Sequence, residues 1–354
     1  MFEKEVKLDF HDLRVKPSTI SEISSRSEVN PYYKHSRSEK FLPIFTAPMD
    51  TVIDDKNWHY FDKNKIHSIL PRGEYQDMFG SENKFKALSL DEFINQYMNI
   101  DEMDFYFKIQ YVNYVLIDMA NGHMRKLLDV VKRAKEKYGD KLILMVGNIA
   151  NPETFEEFAK AGADMVRIGI GNGNACLTTK QTTIGYPMAS LIEECYHIKR
   201  LEGFETKIVA DGGMKDFSDI ILALALGADY VMIGSILNKS LESCADTYWL
   251  RTIKINQYSK FAKWLFKKKF KLTKKFRGMS TKEVQKKWGK KIVKTSEGIS
   301  KKQNVEYTLQ QWVENFEDYL RSTMSYTNSK TLKDFIGEVE IIKISDKAYE
   351  RFNK

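Results

Sequence analysis

Two stretches decide the fold: AGADMVRIGIG at residues 161–171 and LGADYVMIGSI at 226–236. They share one grammar of helix end, turn and strand, so they read as two copies of one structural unit. Working outward, similar short β-rich apolar runs stand at NYVLIDMA (113–120), KLILMVGN (141–148) and TKIVADGG (206–213). Amphipathic stretches of helical length lie between them. In MRKLLDVVKRAKEKYG, Leu127, Val131, Ala134 and Tyr138 recur at spacings of three and four. NPETFEEFAKAG offers Asn151 as N-cap, Pro152 at the first helical position, acids in the first turn and Gly162 at the close. Strands alternating with helices, and nearly continuous apolar strands, mean a parallel sheet covered by helices. Repeated βα units favour a closed (β/α)₈ TIM barrel over an open sheet, with ligands held at the C-terminal ends of the strands. Gly122, Gly147, Gly169, Gly171, Gly173, Gly212, Gly213 and Gly234 cluster at those ends. One shared ligand surface explains them better than unrelated turns.

Composition agrees. The 354 residues, 42% hydrophobic and 12% aromatic, suit a folded globular chain, here expected to be a single barrel domain over 1–354. No apolar run approaches the ~20 residues of a membrane span, and MFEKEVKLDF lacks a signal-peptide core. Cys176, Cys195 and Cys244 are odd in number and irregular in spacing. Reduced thiols in a cytoplasmic compartment are expected, without a zinc cluster. After about residue 237 the grammar changes. Residues 238–305 show no strand run and read as a long, lysine-rich, mobile excursion over the barrel mouth. Within it, KFAKWLFKKKFKLTKK (260–275) carries eight lysines and no acid. It reads either as a solvated face or loop whose aromatics dock on the body, or as a surface that attracts phosphate. YTLQQWVENFEDYL then places Leu309, Trp312, Phe316 and Leu320 on one face of a closing helix, and VEIIKI (339–344) makes a late strand.

Between strand and helix lies RIGIGNGNACLTTK (167–180), a thiol where the backbone is kept bare by glycines. This loop with the TTIGYP that follows it, the segment IVADGGMKDFSDIILALALGADYVMIGS and the segment FRGMS together resemble the IMP dehydrogenase/GMP reductase family. So do KLDFHDLRVKP, SRSEV and APMDTV near the N-terminus and LRSTMSYTNSKTL near the C-terminus. The resemblance runs in matching order from about residue 7 to 344. It implies a (β/α)₈ barrel, a homotetramer, and a purine nucleoside monophosphate whose C2 faces a nucleophilic Cys176.

Within the family the reductase branch is the nearer. The dehydrogenase hydrolyses its purine–cysteine adduct with an Arg-Tyr pair on its flap, and TKEVQKKWGKKIVKTSEG contains no such pair. The stretch 73–112 is too short for the regulatory module that dehydrogenases usually insert. DMANGH, TSEGIS and SRSEV resemble their reductase counterparts. The implied reaction is NADPH-dependent deamination of GMP to IMP and ammonia. Carried over residue by residue, Cys176 attacks C2, while Thr178 and Glu297 move the proton that turns the amino group into ammonia. Asp211 binds the ribose. Gly213, Gly234 and Ser235 hold the phosphate together with Asn174. Met49, Met279, Ser280 and Lys294 belong to the rest of the substrate site. Asp118, Asn121, Gly122 and Arg72 form the NADPH side, and the carbonyls of Gly171, Gly173 and Cys176 offer a K+ site.

Four positions depart from the family pattern. Asn172 replaces the loop's proline and Asn174 the phosphate-binding serine. Lys294 replaces an arginine near the base, and LPRG with Arg72 replaces a His-Lys segment. These departures open the site to a deoxy- or modified purine nucleotide. The alternatives are a dehydrogenase without its regulatory module, or a non-catalytic nucleotide-binding barrel with no use for Cys176, Thr178 and Glu297 together. No nucleic-acid module is present, and neither nucleic acid nor a membrane is expected as a partner. The 260–275 lysines can equally serve the 2′-phosphate of NADPH.

Overall fold

In the computed structural model, which describes residues 5–34, 40–73, 84–287 and 298–352, the two echoing stretches match down to single hydrogen bonds. Asp164 Oδ2 accepts from the Leu144 amide at 2.7 Å and from Lys135 Nζ at 2.8 Å. Asp229 Oδ2 accepts from the Ile208 amide at 2.8 Å and from Lys199 Nζ at 2.6 Å. Each aspartate thus ties the strand it precedes to the previous strand and to the helix that leads into that previous strand. The repeated Ala-Asp turn is a clamp, used twice.

The barrel strands are β1 (Ile44–Thr46), β2 (Ile69–Leu70), β3 (Phe85–Leu88), β4 (Asn113–Asp118), β5 (Leu142–Ile149), β6 (Met165–Ile168), β7 (Lys207–Asp211) and β8 (Tyr230–Ile233). Their parallel ladder runs β1-β8-β7-β6-β5-β4-β3-β2. A parallel bridge between Phe45 and His67 joins its two ends. There His67 donates to Ile44 O at 3.0 Å and accepts from the Thr46 amide at 2.9 Å. The expected eight-stranded barrel is therefore closed.

Strand parity sets what faces where. Along β5, Leu142, Leu144 and Val146 pack outward under the helices, while Ile143 and Met145 point into the barrel. Phe45, Phe85, Leu116, Val209 and Met232 fill the rest of that interior. Each such buried side chain contributes about 1.5–3 kcal/mol over leaving it in water. The same parity makes Asp118, Arg167 and Asp211 the last inward positions of β4, β6 and β7. That is how charge arrives at the mouth of an apolar barrel.

The helices follow their sequence signals. Leu127, Val131, Ala134 and Tyr138 are the buried face of the helix Arg125–Tyr138. Asn151 caps Pro152–Lys160 by accepting from the Thr154 amide at 3.0 Å. Leu309, Trp312, Phe316 and Leu320 are buried along Leu309–Tyr326. The late strand, Ile341–Lys343, lies outside the barrel, paired antiparallel with Leu13–Val15.

One expectation is corrected. The excursion 238–305 contains a four-stranded antiparallel sheet, made of β9 (Thr247–Trp249), β10 (Ile253–Ile255), β11 (Leu272–Arg277) and β12 (Ser300–Asn304), ordered β10-β9-β11-β12. A helix, Lys260–Lys267, crosses between β10 and β11. Lysines hid the strands, because in LTKKFR one lysine takes an inward position. Lys274 is fully buried, and its Nζ donates to Leu241 O at 2.9 Å, Ser243 O at 2.7 Å and Ser243 Oγ at 2.7 Å. Arg277 anchors the same strand to the barrel through a two-point contact with Asp50, at 2.6 and 3.3 Å.

Candidate active site

A cleft of about 520 Å³ opens at the C-terminal ends of the barrel strands and is roofed by β11 and the residues after it. That volume suits a drug-sized or nucleotide-sized ligand. Most of the residues singled out in the sequence line this one cleft: Met49, Arg72, Asp118, Gly171, Gly173, Asn174, Cys176, Thr178, Asp211, Gly213, Gly234, Ser235, Met279 and Ser280. They come from seven separate stretches of the chain. Glu297 and Lys294 lie outside the described residues. Asn121 and Gly122 do not line the cleft. Asn121 Oδ1 accepts from the His123 amide at 3.0 Å. Gly122 is packed so that a Cβ would stand 2.7 Å from the Asn148 carbonyl, which makes it a close-packing glycine.

The cysteine sits in a turn of its own making, where the Cys176 amide donates to Gly173 O at 2.8 Å. Its thiol donates to Thr178 Oγ1 at 3.2 Å. Gly171 has φ +82°, and a Cβ there would meet Thr179 Oγ1 at 1.7 Å. Only glycine fits that position. The excursion closes on this loop by backbone contacts. Gly298 forms an antiparallel bridge with Cys176, the Ile299 amide donates to Ala175 O at 3.0 Å, and the Gly278 amide donates to Ile299 O at 3.0 Å. A thiol, a hydroxyl and the returning end of the excursion thus share one small volume, an arrangement able to add a nucleophile to a bound ligand and relay a proton beside it.

Arg167 organises the opposite wall. It is buried, with Nη1 at 2.6 Å from Asp118 Oδ1 and Nη2 at 2.9 Å from Asp211 Oδ2. Its Nε also donates to Asp211 Oδ2, at 3.0 Å. Asn148 Nδ2 reaches that same oxygen at 2.8 Å, and Gly169 O at 2.8 Å. Burial disfavours the guanidinium charge, yet the Asp211 and Asp118 carboxylates outweigh it and hold the Arg167 pKa above the ordinary arginine value. The arginine fixes two acids that the sequence assigned to different ligands. Neither Arg167 nor Asn148 was singled out beforehand. Parity was the available signal, since a lone arginine at an inward position of an apolar strand demands buried partners.

The side of the cleft expected to hold a phosphate differs from expectation in its details. The Gly213 amide is engaged, donating to Asn172 O at 2.8 Å. Gly234 is close-packed, and a Cβ would stand 2.7 Å from Met49 Sδ. Lys301, unremarked in the sequence, donates from Nζ to Asn174 Oδ1 at 2.7 Å. Arg72 lines the cleft while donating to Glu92 Oε2 at 3.3 Å.

Comparison with known proteins agrees with this geometry. The family profile described as "IMP dehydrogenase / GMP reductase domain" matches residues 103–352. The GMP reductase of Buchnera aphidicola subsp. Schizaphis graminum is 30% identical, over 99% of this chain and 98% of that protein. GMP reductase 2 of Homo sapiens is 27% identical, over 99% and 98%. The GMP reductase of Caenorhabditis elegans is 27% identical, over 99% and 95%. The closed barrel, the glycine-flanked thiol at its mouth and full-length similarity lead to one conclusion: this chain belongs to the IMP dehydrogenase/GMP reductase family.

Proposed function

We propose that this protein converts GMP to IMP and ammonia, using NADPH, through a covalent bond between Cys176 and purine C2. The observation that carries the reading is the Cys176–Thr178 pair at 3.2 Å, covered by the Gly298 backbone in a cleft of nucleotide size. The relatives named GMP reductase, aligned along nearly the whole chain, support it.

In this reading the Cys176 sulfur adds to C2 of the bound base. The exocyclic amine leaves as ammonia once it is protonated, and Thr178 with Glu297 delivers that proton. Glu297 immediately precedes Gly298 in sequence. NADPH, when bound, supplies the hydride that C2 takes up. Cys176 then departs as thiolate and IMP is released. Asp118 faces the nicotinamide side and Asp211 the ribose, and Arg167 holds both at fixed separation, so the two halves of the site are pre-organised together. Arg72 stands on the NADPH side. Met279 and Ser280 meet the base.

The phosphate end is served by Ser235, the Gly234 turn and a lysine–asparagine pair. With Lys301 bound to its Oδ1, Asn174 is left with its Nδ2 protons to offer an anion, and Lys301 adds the charge. This pair fills the role expected of the family's serine. A potassium ion on the carbonyls of Gly171, Gly173 and Cys176, and a tetrameric assembly, belong to the same reading. A monovalent-cation titration and light scattering check them.

The test is absorbance at 340 nm with GMP plus NADPH, beside IMP plus NAD, for wild type and Cys176→Ala. NADPH consumption with ammonia release, absent in the variant, is the expected result. NADH formation from IMP would replace this reading with a dehydrogenase. Silence in both assays, with GMP binding intact by calorimetry, would replace it with a nucleotide-binding barrel.

A further inference from the structure

Nothing in the chemistry above uses the tip of the excursion. From residue 247 to 281 the sequence contains no Asp or Glu and eleven Lys or Arg. Without this segment the chain would hold 45 cations against 48 acids, so the net charge of +8 originates here. The helix Lys260–Lys267 buries Ala262 and Leu265 toward the sheet, where Leu265 meets Leu241 and Leu272. Phe261 and Trp264 are left on its outer side, and Phe270 joins them from the following turn. Their rings lie 5.9–6.2 Å apart around Trp249. Ile253, directly across the strand pair from Trp249, and Leu250 at the hairpin tip extend the patch. These five side chains are 45–62% exposed. Lys260, Lys263, Lys267, Lys268, Lys269 and Lys271 surround them, all exposed.

The hairpin tip is unusual in its residues. Leu250 and Arg251 have φ of +50° and +65°, a conformation that two-residue turns normally give to Asn or Gly. The fold accepts that strain while setting an apolar and a cationic side chain in water.

We propose that this tip docks on an anionic lipid bilayer, with the aromatic and aliphatic side chains entering the interface and the lysines meeting the headgroups. Three features favour this occupant. Aromatics and leucine ringed by lysine, without acids, are the composition of interfacial helices. The rings pack against one another, leaving no gap for a base to stack between them, and Leu250 and Ile253 have no ring face to offer. Two copies meeting patch to patch would set lysines against lysines. The membrane contact is peripheral, since no helix among the described residues is long and apolar enough to cross a bilayer.

The experiment is vesicle flotation of the full-length chain with phosphatidylcholine alone and with about 30% phosphatidylserine, in moderate salt. Flotation only with the anionic vesicles is expected. It should fall at least tenfold in F261S/W264S/F270S and in K263Q/K267Q/K268Q/K271Q, with melting curves checked for each. The lysine variant changes only exposed side chains, so it carries the test if the aromatic variant fails to fold. No flotation on anionic vesicles, or flotation unchanged in the lysine variant, would overturn the proposal. So would retention of binding in a folded aromatic variant, which would mean charge attraction alone. Tight gel shifts with single-stranded RNA in the absence of vesicle binding would assign the patch to nucleic acid. A halved mass for the folded aromatic variant in light scattering, again without vesicle binding, would assign it to contacts between copies.

Discussion

Arg167 forms two ion pairs inside the barrel mouth, and its removal would strand two carboxylates where water is scarce. Breaking such a buried pair from one side costs about 3–5 kcal/mol. We therefore expect Arg167→Ala to lower the unfolding free energy measured in urea by that amount and to abolish turnover. Arg167→Lys should recover much of the stability and little of the activity, because a single ammonium cannot span Asp118 and Asp211 as a planar guanidinium does. Equal turnover in the lysine variant would show that the fork geometry is unimportant. Lys301 makes a separable prediction. Lys301→Met should weaken GMP binding about tenfold, or about 1.4 kcal/mol, and leave guanosine binding unchanged. Calorimetry with both ligands distinguishes loss of a phosphate contact from loss of the site, since an equal effect on guanosine would place Lys301 in a structural role.

Strand β11 carries a fully buried lysine among its buried apolar residues. Burial pushes the Lys274 pKa down to about 7, against about 10.4 in an unfolded chain. Below pH 7 the folded state bears the full penalty of the buried charge. Between pH 7 and about 10 the unfolded chain holds more protons than the folded one, so stability rises with pH through that window. Chemical denaturation at pH 7 and 9 should show this gain in wild type and lose it in Lys274→Met. The variant should also be less stable at pH 9, by about 1–3 kcal/mol for each buried carbonyl left without its donor. The paired clamps make a second prediction for the barrel elements. Asp229→Ala leaves Lys199 partnerless and the Ile208 amide unbonded, and should cost about 3–5 kcal/mol. An effect below 1 kcal/mol would mean that the Ala-Asp turn is not a clamp.

The barrel and the excursion share the cleft, so a bound nucleotide holds the two against each other. GMP at a hundred times its dissociation constant should stabilise the whole chain by about 2.7 kcal/mol. Calorimetry should show this as one transition displaced upward. Two transitions, of which only one moved with GMP, would mean that the excursion folds independently of the barrel.

Much of this molecule was written locally in the chain. Five of the eight barrel strands, the capped and amphipathic helices and the cysteine loop declare themselves through periodicity and glycine placement, which neighbouring residues encode. Ile44–Thr46 and Ile69–Leu70, of three and two residues, are too brief for any period to register, and Phe85–Leu88 lacks the glycine-rich end that marks the strands of equal length at Met165–Ile168 and Tyr230–Ile233. The lysine-rich strands of the excursion inverted the usual apolar signal, because Lys274 is buried by oxygen acceptors thirty-one and thirty-three residues away. Closure of the barrel rests on Phe45 finding His67. The arginine that joins the two halves of the site binds acids 49 and 44 residues distant. The sequence by itself determined the repeating unit and the presence of a glycine-flanked thiol at a strand end. Only the tertiary structure decided which charges meet at the barrel mouth, because a pattern along the chain sets the face a side chain takes and not the partner it finds there.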